Sequence, residues 1–573
     1  MKKICANRWC LESFEITDAD RDLLDRLAPV IGGRKISIPE PTLCPPCRSQ
    51  RRLTGRNERN LYRRTDSITG KDIISIHSPE KRYPVTEPEI WYSDRFDSME
   101  YGMPFDPQRS FFDQFAELQQ RVPRMSLGVI KNENCPYVNQ VWNCKDCYMS
   151  FDMGFSEDIL YGTGVYHSQD LNDCSFTRES SLSYSLADCS KCYHCAGLQD
   201  CSDCSGAYFS VDCAQCRDIA FCTNLRGKQY CYRNEQLSKE QWEKVLRELN
   251  LGSASKWRDH DAAFMALLST VLRRDTHNIQ CEDCTGDYLL HSRNCQSCFD
   301  CDKSEDLHYC TRIDEQVVTS MDVDHASLAE LVYEGLTIAG HNILFSQNSY
   351  SPGNTNILYC DLIISSSDCF GCVGIKNKKH CILNKQYTRE EYEELVPRII
   401  EHMRKTPLRL PDGSSAGQEW GEGFPLEKSL FTYNESAAQE FFPLTKEQVL
   451  DRGWRWRDQV DDMPKVARII PANRLPDSIN DVSDDILQSA IECEITKRPF
   501  RIIKQELDFY RNMGLPLPRM HPDERHRRRM ALRNPRKLWH RECGKCGKGI
   551  ETSYAPERLE KIYCEECYLK EVY

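Results

Sequence analysis

The thiols nearest the C-terminus fall in two pairs, Cys543-x2-Cys546 and Cys564-x2-Cys567, separated by 17 residues. That is zinc-ribbon spacing: two knuckles can supply a tetrahedron of thiolates to one ion. The N-terminal end offers Cys5-x4-Cys10 and Cys44-Pro-Pro-Cys47, the latter placed to open a helix as in a treble-clef finger. Four thiolates close the coordination shell and leave no position for a reacting water, so a structural Zn2+ at each end is expected and a catalytic one is not. An unmetallated thiol cluster is the alternative at either end.

A third set of thiols has a different rhythm. Asp188-Cys189-x2-Cys192 recurs as Asp200-Cys201-x2-Cys204 and Asp212-Cys213-x2-Cys216, at intervals of 12. The same interval links Cys135 with Cys147, Cys298 with Cys310, Cys360 with Cys372 and Cys369 with Cys381. A repeat of this length with short polar turns predicts a β-solenoid of small coils, each about 40 Å around at ~3.3 Å per residue. Its interior is expected to take mostly small side chains, with Tyr193, Tyr208 and Phe209 at corners or outside. Stacked cysteines then form sulfur ladders, whose parallel side chains disfavour vertical disulfides. Three states stay open: buried free thiols, further zinc at Cys189, Cys192, Cys201 and Cys204, or disulfides. A redox centre of Cys189, Cys192 and Cys195 around His194 is a weaker, enzymatic alternative.

Arginines form the other chemical signal. Arg48, Arg51, Arg52, Arg56, Arg59 and Arg63 recur at three- and four-residue spacings after Cys47, and Arg525, Arg528, Arg529 and Arg533 repeat the pattern. On a helix each set makes a cationic stripe whose donor forks suit phosphate, and Tyr62 or Trp539 can stack on an unpaired base. RNA or a ribonucleoprotein is one expected partner. The competing reading is that the stripes dock on the chain's own acidic surface and the molecule serves protein partners alone.

The elements that must position these groups are duplicated. At an offset of 477, Pro39–Trp91 aligns without a gap on Pro516–Tyr568, and FEITDADRDLLDRL resembles FRIIKQELDFYRNM upstream. The two copies keep complementary ligands. Asp66, Thr69, Glu87 and Ile90 stand where the second copy has its four cysteines, whereas His521 and Glu524 stand for Cys44 and Cys47, with Cys493 near the other half. One site per copy has therefore lost its metal. The repeat region is also double: NLRGKQYCYRNEQLSKEQWEKVLREL resembles GIKNKKHCILNKQYTREEYEELVPRII at an offset of 150, and each copy starts a helix with a capping box, Ser238 with Gln241 and Thr388 with Glu391.

These signals give a multidomain α+β chain: a central short-coil β-solenoid in two halves with capping helices, flanked by duplicated treble-clef/zinc-ribbon modules. The expected divisions are a first module over 1–94, a linker and short helix over 95–130, solenoid halves over 131–236 and 277–387 around a helical insert at 237–276, a capping helix over 388–406, a linker and helical segment over 407–485, and the second module over 486–573. Phe111, Phe112 and Phe115 are expected to pack, as are Trp454 and Trp456. The formal net charge of −12 argues against a wholly basic nucleic-acid binder. No apolar run suits a signal peptide or a membrane span, so a cytoplasmic, soluble chain is expected, in which 32 cysteines are not mostly disulfides.

The combination CPPCRSQRRLTGRNERNLYRR, TGKDIISIHSPEK, FDPQRSFFDQF and TSYAPERLEKIYCEECYLKEVY resembles an uncharacterised family of cysteine-rich zinc-ribbon proteins from uncultivated, small-genome bacteria. The likeness spans nearly the whole chain and implies cytoplasmic zinc binding, with no activity attached. Such proteins often carry cysteine at the place of Asp66, which agrees with a decayed site.

Overall fold

The computed structural model describes residues 2–313, 315–409, 415–458 and 464–573. Its centre is a pair of long parallel ladders. In the first, strands from Val129–Ile130 to Gln229–Tyr232 pair in steps of twelve: Val138 with Ser150, Phe151 with Thr163, Arg217 with Gln229. Steps this short leave no room for crossover helices. The chain turns instead through left-handed backbone at every third residue, with positive φ at Asp188, Lys191, His194, Gly197, Asp200 and Asp203. An L-residue there costs roughly 1–2 kcal/mol, least for Asn and Asp, which accounts for the aspartates that precede the cysteines.

The residue after each such turn faces the interior. Cys189, Cys192, Cys195, Leu198, Cys201 and Cys204 are each at most 2% exposed. Each step therefore has four inward positions, and the interior is roomier than the sequence reading allows. Leu198 shares its layer with Cys195, Cys201 and Cys204, and Ile219 with Cys213, Cys216 and Cys222, all of them buried. One bulky side chain per layer is balanced by three small ones, which preserves close packing. Tyr193, Tyr208 and Phe209 lie outside this interior. Tyr193 is 56% exposed, whereas Phe209 is covered by the helix Ala254–Leu268 and meets Trp257 and Phe221.

The second ladder, from Gly286 to Gln386, is less regular, with steps of 12 at Gly286–Cys298, 13 at Glu305–Val318 and 14 at His341–Thr355. Both ladders end in a hairpin followed by a helix, Lys239–Leu249 or Arg389–Lys405, and both capping boxes are formed. Trp242 and Tyr392 anchor these helices, at 3% and 4% exposure. No sheet among the described residues closes on itself.

The ladders lie side by side and run in opposite senses. Trp142 meets His325, Asp152 pairs with Arg312, and Arg178 with Asp302 at 2.9 Å, so positions that rise in one fall in the other. In the stretch expected as a linker and short helix, the helix is Phe111–Arg121 and its phenylalanines pack: Phe111 on Tyr359 and Phe370, and Phe115 on Phe424. Trp454 stacks on Tyr433 and is 8% exposed. Within the linker and helical segment expected over 407–485, residues 410–414 and 459–463 lie outside the described residues.

Candidate metal centres and arginine clamps

In the N-terminal module, Cys44 sits at the N-cap of the helix Pro45–Leu53 and Cys47 one turn into it, while Cys5 and Cys10 come from a tight turn between the paired strands Lys2–Ile4 and Ser13–Glu15. The four sulfurs lie within 4.8 Å of one another, so the group can hold a metal ion. The amide of Cys44 donates to Cys5 Sγ at 3.3 Å and the Asn7 side chain to Cys47 Sγ at 3.2 Å. Hydrogen bonds from the Cys44 and Cys47 thiols hold Cys5 well below the ordinary thiol range despite its burial.

The C-terminal quartet has the same closeness. Strands Trp539–Glu542 and Gly549–Thr552 present Cys543 and Cys546 in the turn between them, and Cys564 caps the helix Glu565–Val572. Burial raises the Cys543 pKa, but amides of Cys546, Cys564 and Lys545 outweigh it and pull the thiol to about 6. Donors aimed at sulfur favour the thiolate that a metal requires.

The halves without a thiol quartet retain the knuckle backbone. Strands Tyr62–Thr65 and Asp72–Ser75 pair in the register of their counterparts, Tyr62 with Ser75 as Trp539 with Thr552. Asp66 takes the central role: its carboxylate accepts from the amides of Ile68 at 2.7 Å, Thr69 at 2.8 Å and Glu87 at 2.7 Å, and from the Thr86 hydroxyl at 2.9 Å. Burial opposes ionisation, yet these donors lower its pKa. In the other module Cys493, fully buried, accepts from the amides of Thr496 at 3.4 Å and His521 at 3.2 Å. His521 turns away and caps its own helix by accepting from the Asp523 amide.

Most arginines of the two stripes face the chain's own carboxylates, the arrangement that the competing reading expects. Arg48 pairs with Asp322, Arg51 with Glu334 and Glu422, and Arg52 with Asp324 and Asp322. Arg56 pairs with Glu58. In the second module Arg525 and Arg529 share Asp173, Arg528 meets Asp261 at 2.8 Å, and Arg533 pairs with Asp188 and Asp300. The physical reason is the carboxylate surface of the ladders, which compensates buried guanidiniums that would otherwise be too costly. The pairing is duplicated: the partners of aligned arginines are displaced by 149 residues each time, Asp322 from Asp173, Asp324 from Ser175 and Thr337 from Asp188. Each module thus clamps the ladder remote from it in sequence. Arg59 and Arg63 depart from the pattern; Arg59 bonds Thr163 at 3.0 Å, and Arg63 is exposed.

All 32 cysteines are free of disulfides. In the ladder each thiol donates to the carbonyl two residues back: Cys189 to Ala187 at 3.3 Å, Cys192 to Ser190 at 3.4 Å, Cys201 to Gln199 and Cys204 to Ser202 at 3.3 Å. Among the described residues this set is not a third quartet of the closeness seen at the ends. His194 lies on the outer side, where its ring meets Tyr208, away from the buried sulfurs of Cys189, Cys192 and Cys195.

The carboxylates that receive the arginines escaped the sequence reading. One signal was present: Asp152, Asp188, Asp200 and Asp212 stand at multiples of twelve; the first three pair outside their ladder, with Arg312, Arg533 and Arg273, and Asp212 pairs with Arg226 in the next step of its own. Protein-family models and curated proteins give no match to this chain. No helix among the described residues is long and apolar enough to cross a membrane.

Proposed function

We propose that this chain is a non-catalytic scaffold held by two structural zinc ions, with the twelve-residue ladders winding as a β-solenoid in two halves. The observation that carries this reading is the pair of four-thiol clusters, whose ligand sets fill a tetrahedral shell and leave no open position for chemistry. Thiols bonded to backbone carbonyls support free sulfur ladders between the ions, as does a reducing cytoplasm. Burial of Arg48, Arg51, Arg52, Arg525 and Arg529 favours one part of the competing reading, that these helices assemble the molecule, and leaves its outer faces to partners.

The test is elemental analysis of the purified full chain, with thiols counted on the same sample before and after denaturation. The expected result is about two zinc ions per chain, removable by a chelator with loss of structure at both ends. A metal-free protein that keeps both terminal modules folded would overturn the reading.

A further inference from the structure

A cleft of about 1790 Å³ opens between the two modules. The segment after each arginine helix lines it: Arg59, Leu61 and Arg63 from one copy, and Arg536, Lys537 and Leu538 from the other. Tyr62, Tyr148 and Tyr309 add aromatic surface. Its volume exceeds the 300–1,000 Å³ or so of ordinary small-molecule pockets and suits a polymer segment.

The uncommitted charge in this cleft is positive. Its carboxylates are engaged: Asp300 by Arg533 and Arg536, Glu58 by Arg56 and Arg312, Glu435 by Lys81, Glu440 by His526, Asp523 by Arg498 and Glu80 by Arg457. Two cations, Arg63 and Lys537, are unmatched among the described residues, and two more, Arg536 and Arg59, are only partly satisfied. Arg536 is nine-tenths buried and gives Nε to Asp300, while Nη1 and Nη2 have no acceptor. The nearest carboxylate oxygen to Arg59 is 3.9 Å away, on Asp523, and burial lowers its pKa. Arg63 and Lys537 are exposed and form no ion pair among the described residues. Glu12 is the sole uncommitted carboxylate among the described lining residues.

We infer that this cleft binds a single-stranded nucleic-acid segment, its phosphates on Arg59, Arg63, Arg536 and Lys537 and its bases against the tyrosines. Cationic tracking of a backbone beside aromatic faces is the general mode of single-strand recognition. The inference rests on the scaffold reading only in needing both modules folded. It moves the nucleic-acid contact from the helices to the segments after them.

Fluorescence anisotropy with labelled 12-nucleotide oligo-uridylate and oligo-thymidylate tests it, on the metal-loaded full chain at 50 and 200 mM salt. Binding should weaken steeply with salt. The double variant R63E/K537E should bind at least tenfold more weakly and lower the log–log salt slope by about 1.4, for two lost phosphate contacts. Arg536→Gln should weaken binding by a smaller factor. Tighter ribose binding would identify RNA, and equal binding a sugar-indifferent site; both support the inference. No binding at 50 mM salt by protein carrying its full metal, an unchanged affinity in the double variant, or equally tight binding of an oligo-glutamate of matched charge would overturn it. Metal content on the same samples separates this failure from that of the scaffold reading, which fails if the ions are absent.

Discussion

The two terminal modules share strand registers, helix positions and arginine partners, yet they close their knuckles differently. In one copy the ribbon half is built around four thiols and in the other around Asp66 alone. The finger half is reversed, with a quartet at Cys5, Cys10, Cys44 and Cys47 against a solitary Cys493. What the fold requires at each place is an acceptor that gathers amides from both knuckles. A thiol quartet able to hold a metal meets that need, and so does a carboxylate or one buried sulfur.

The largest effect should come from the metal side of this contrast. Cys564→Ser should release one equivalent of metal and open residues 539–573 to hydrogen exchange, because structural zinc contributes on the order of 10 kcal/mol to such small units. The matching ribbon at 62–92 should stay protected; its opening on chelation would break the comparison. Next in size are the clamps. Arg525→Met and Arg48→Met each take one of two guanidiniums from a buried carboxylate, leaving Asp173 to Arg529 and Asp322 to Arg52, and should cost up to about 3–5 kcal/mol by denaturant titration. Similar losses at the two sites would support a duplicated assembly.

Asp66→Ala should cost about 2–3 kcal/mol, since three amides and a hydroxyl lose their acceptor, and should expose 66–87 to exchange while leaving both ions bound. Acid sharpens the same point. The Asp66 pKa lies below its unfolded value of about 3.9, so its stabilisation is complete above that pH and is lost as pH falls towards the lower folded value. Protons compete with metal for thiolates at higher pH, so on acidification the C-terminal ribbon should open before the N-terminal one.

A further contrast concerns Glu506, aligned with Asp20. Asp20 bonds His308 at 2.6 Å, and this bond with those from Thr17 outweighs burial and lowers its pKa. Burial pushes Glu506 up to about 7, with Asp173 adding to the shift and Arg525 opposing it. Its ionisation thus costs folding stability increasingly from the unfolded pKa of about 4.3 to about 7. Glu506→Gln should stabilise the protein at pH 8 and do little at pH 4, whereas Asp20→Asn should destabilise at pH 6 to 8.

The duplicated modules and both thiol quartets were legible because their signals are local: knuckle spacing, and a gapless self-alignment that the strand registers reproduce. The interval of twelve was legible for the same reason. The three-residue beat inside it was also present, in Cys189, Cys192, Cys195 and Leu198, but a strand reading that expects alternate residues to face inward obscures it. The orientation of the arginines was not legible. It depends on Asp322 and Asp173, some hundreds of residues away, and a helix with charge on one face has the same sequence whether that face meets water or carboxylates.

The regular left-handed turns have a consequence for length. Deleting three residues from the first ladder would leave its thiols inside yet slide every later position a quarter of the way round, parting Asp188 from Arg533. Deleting twelve would remove one storey and keep the faces aligned. The distance between docking aspartates is therefore graduated, like a ruler marked every 4.8 Å or so, and a chain of this design can be resized only by whole marks.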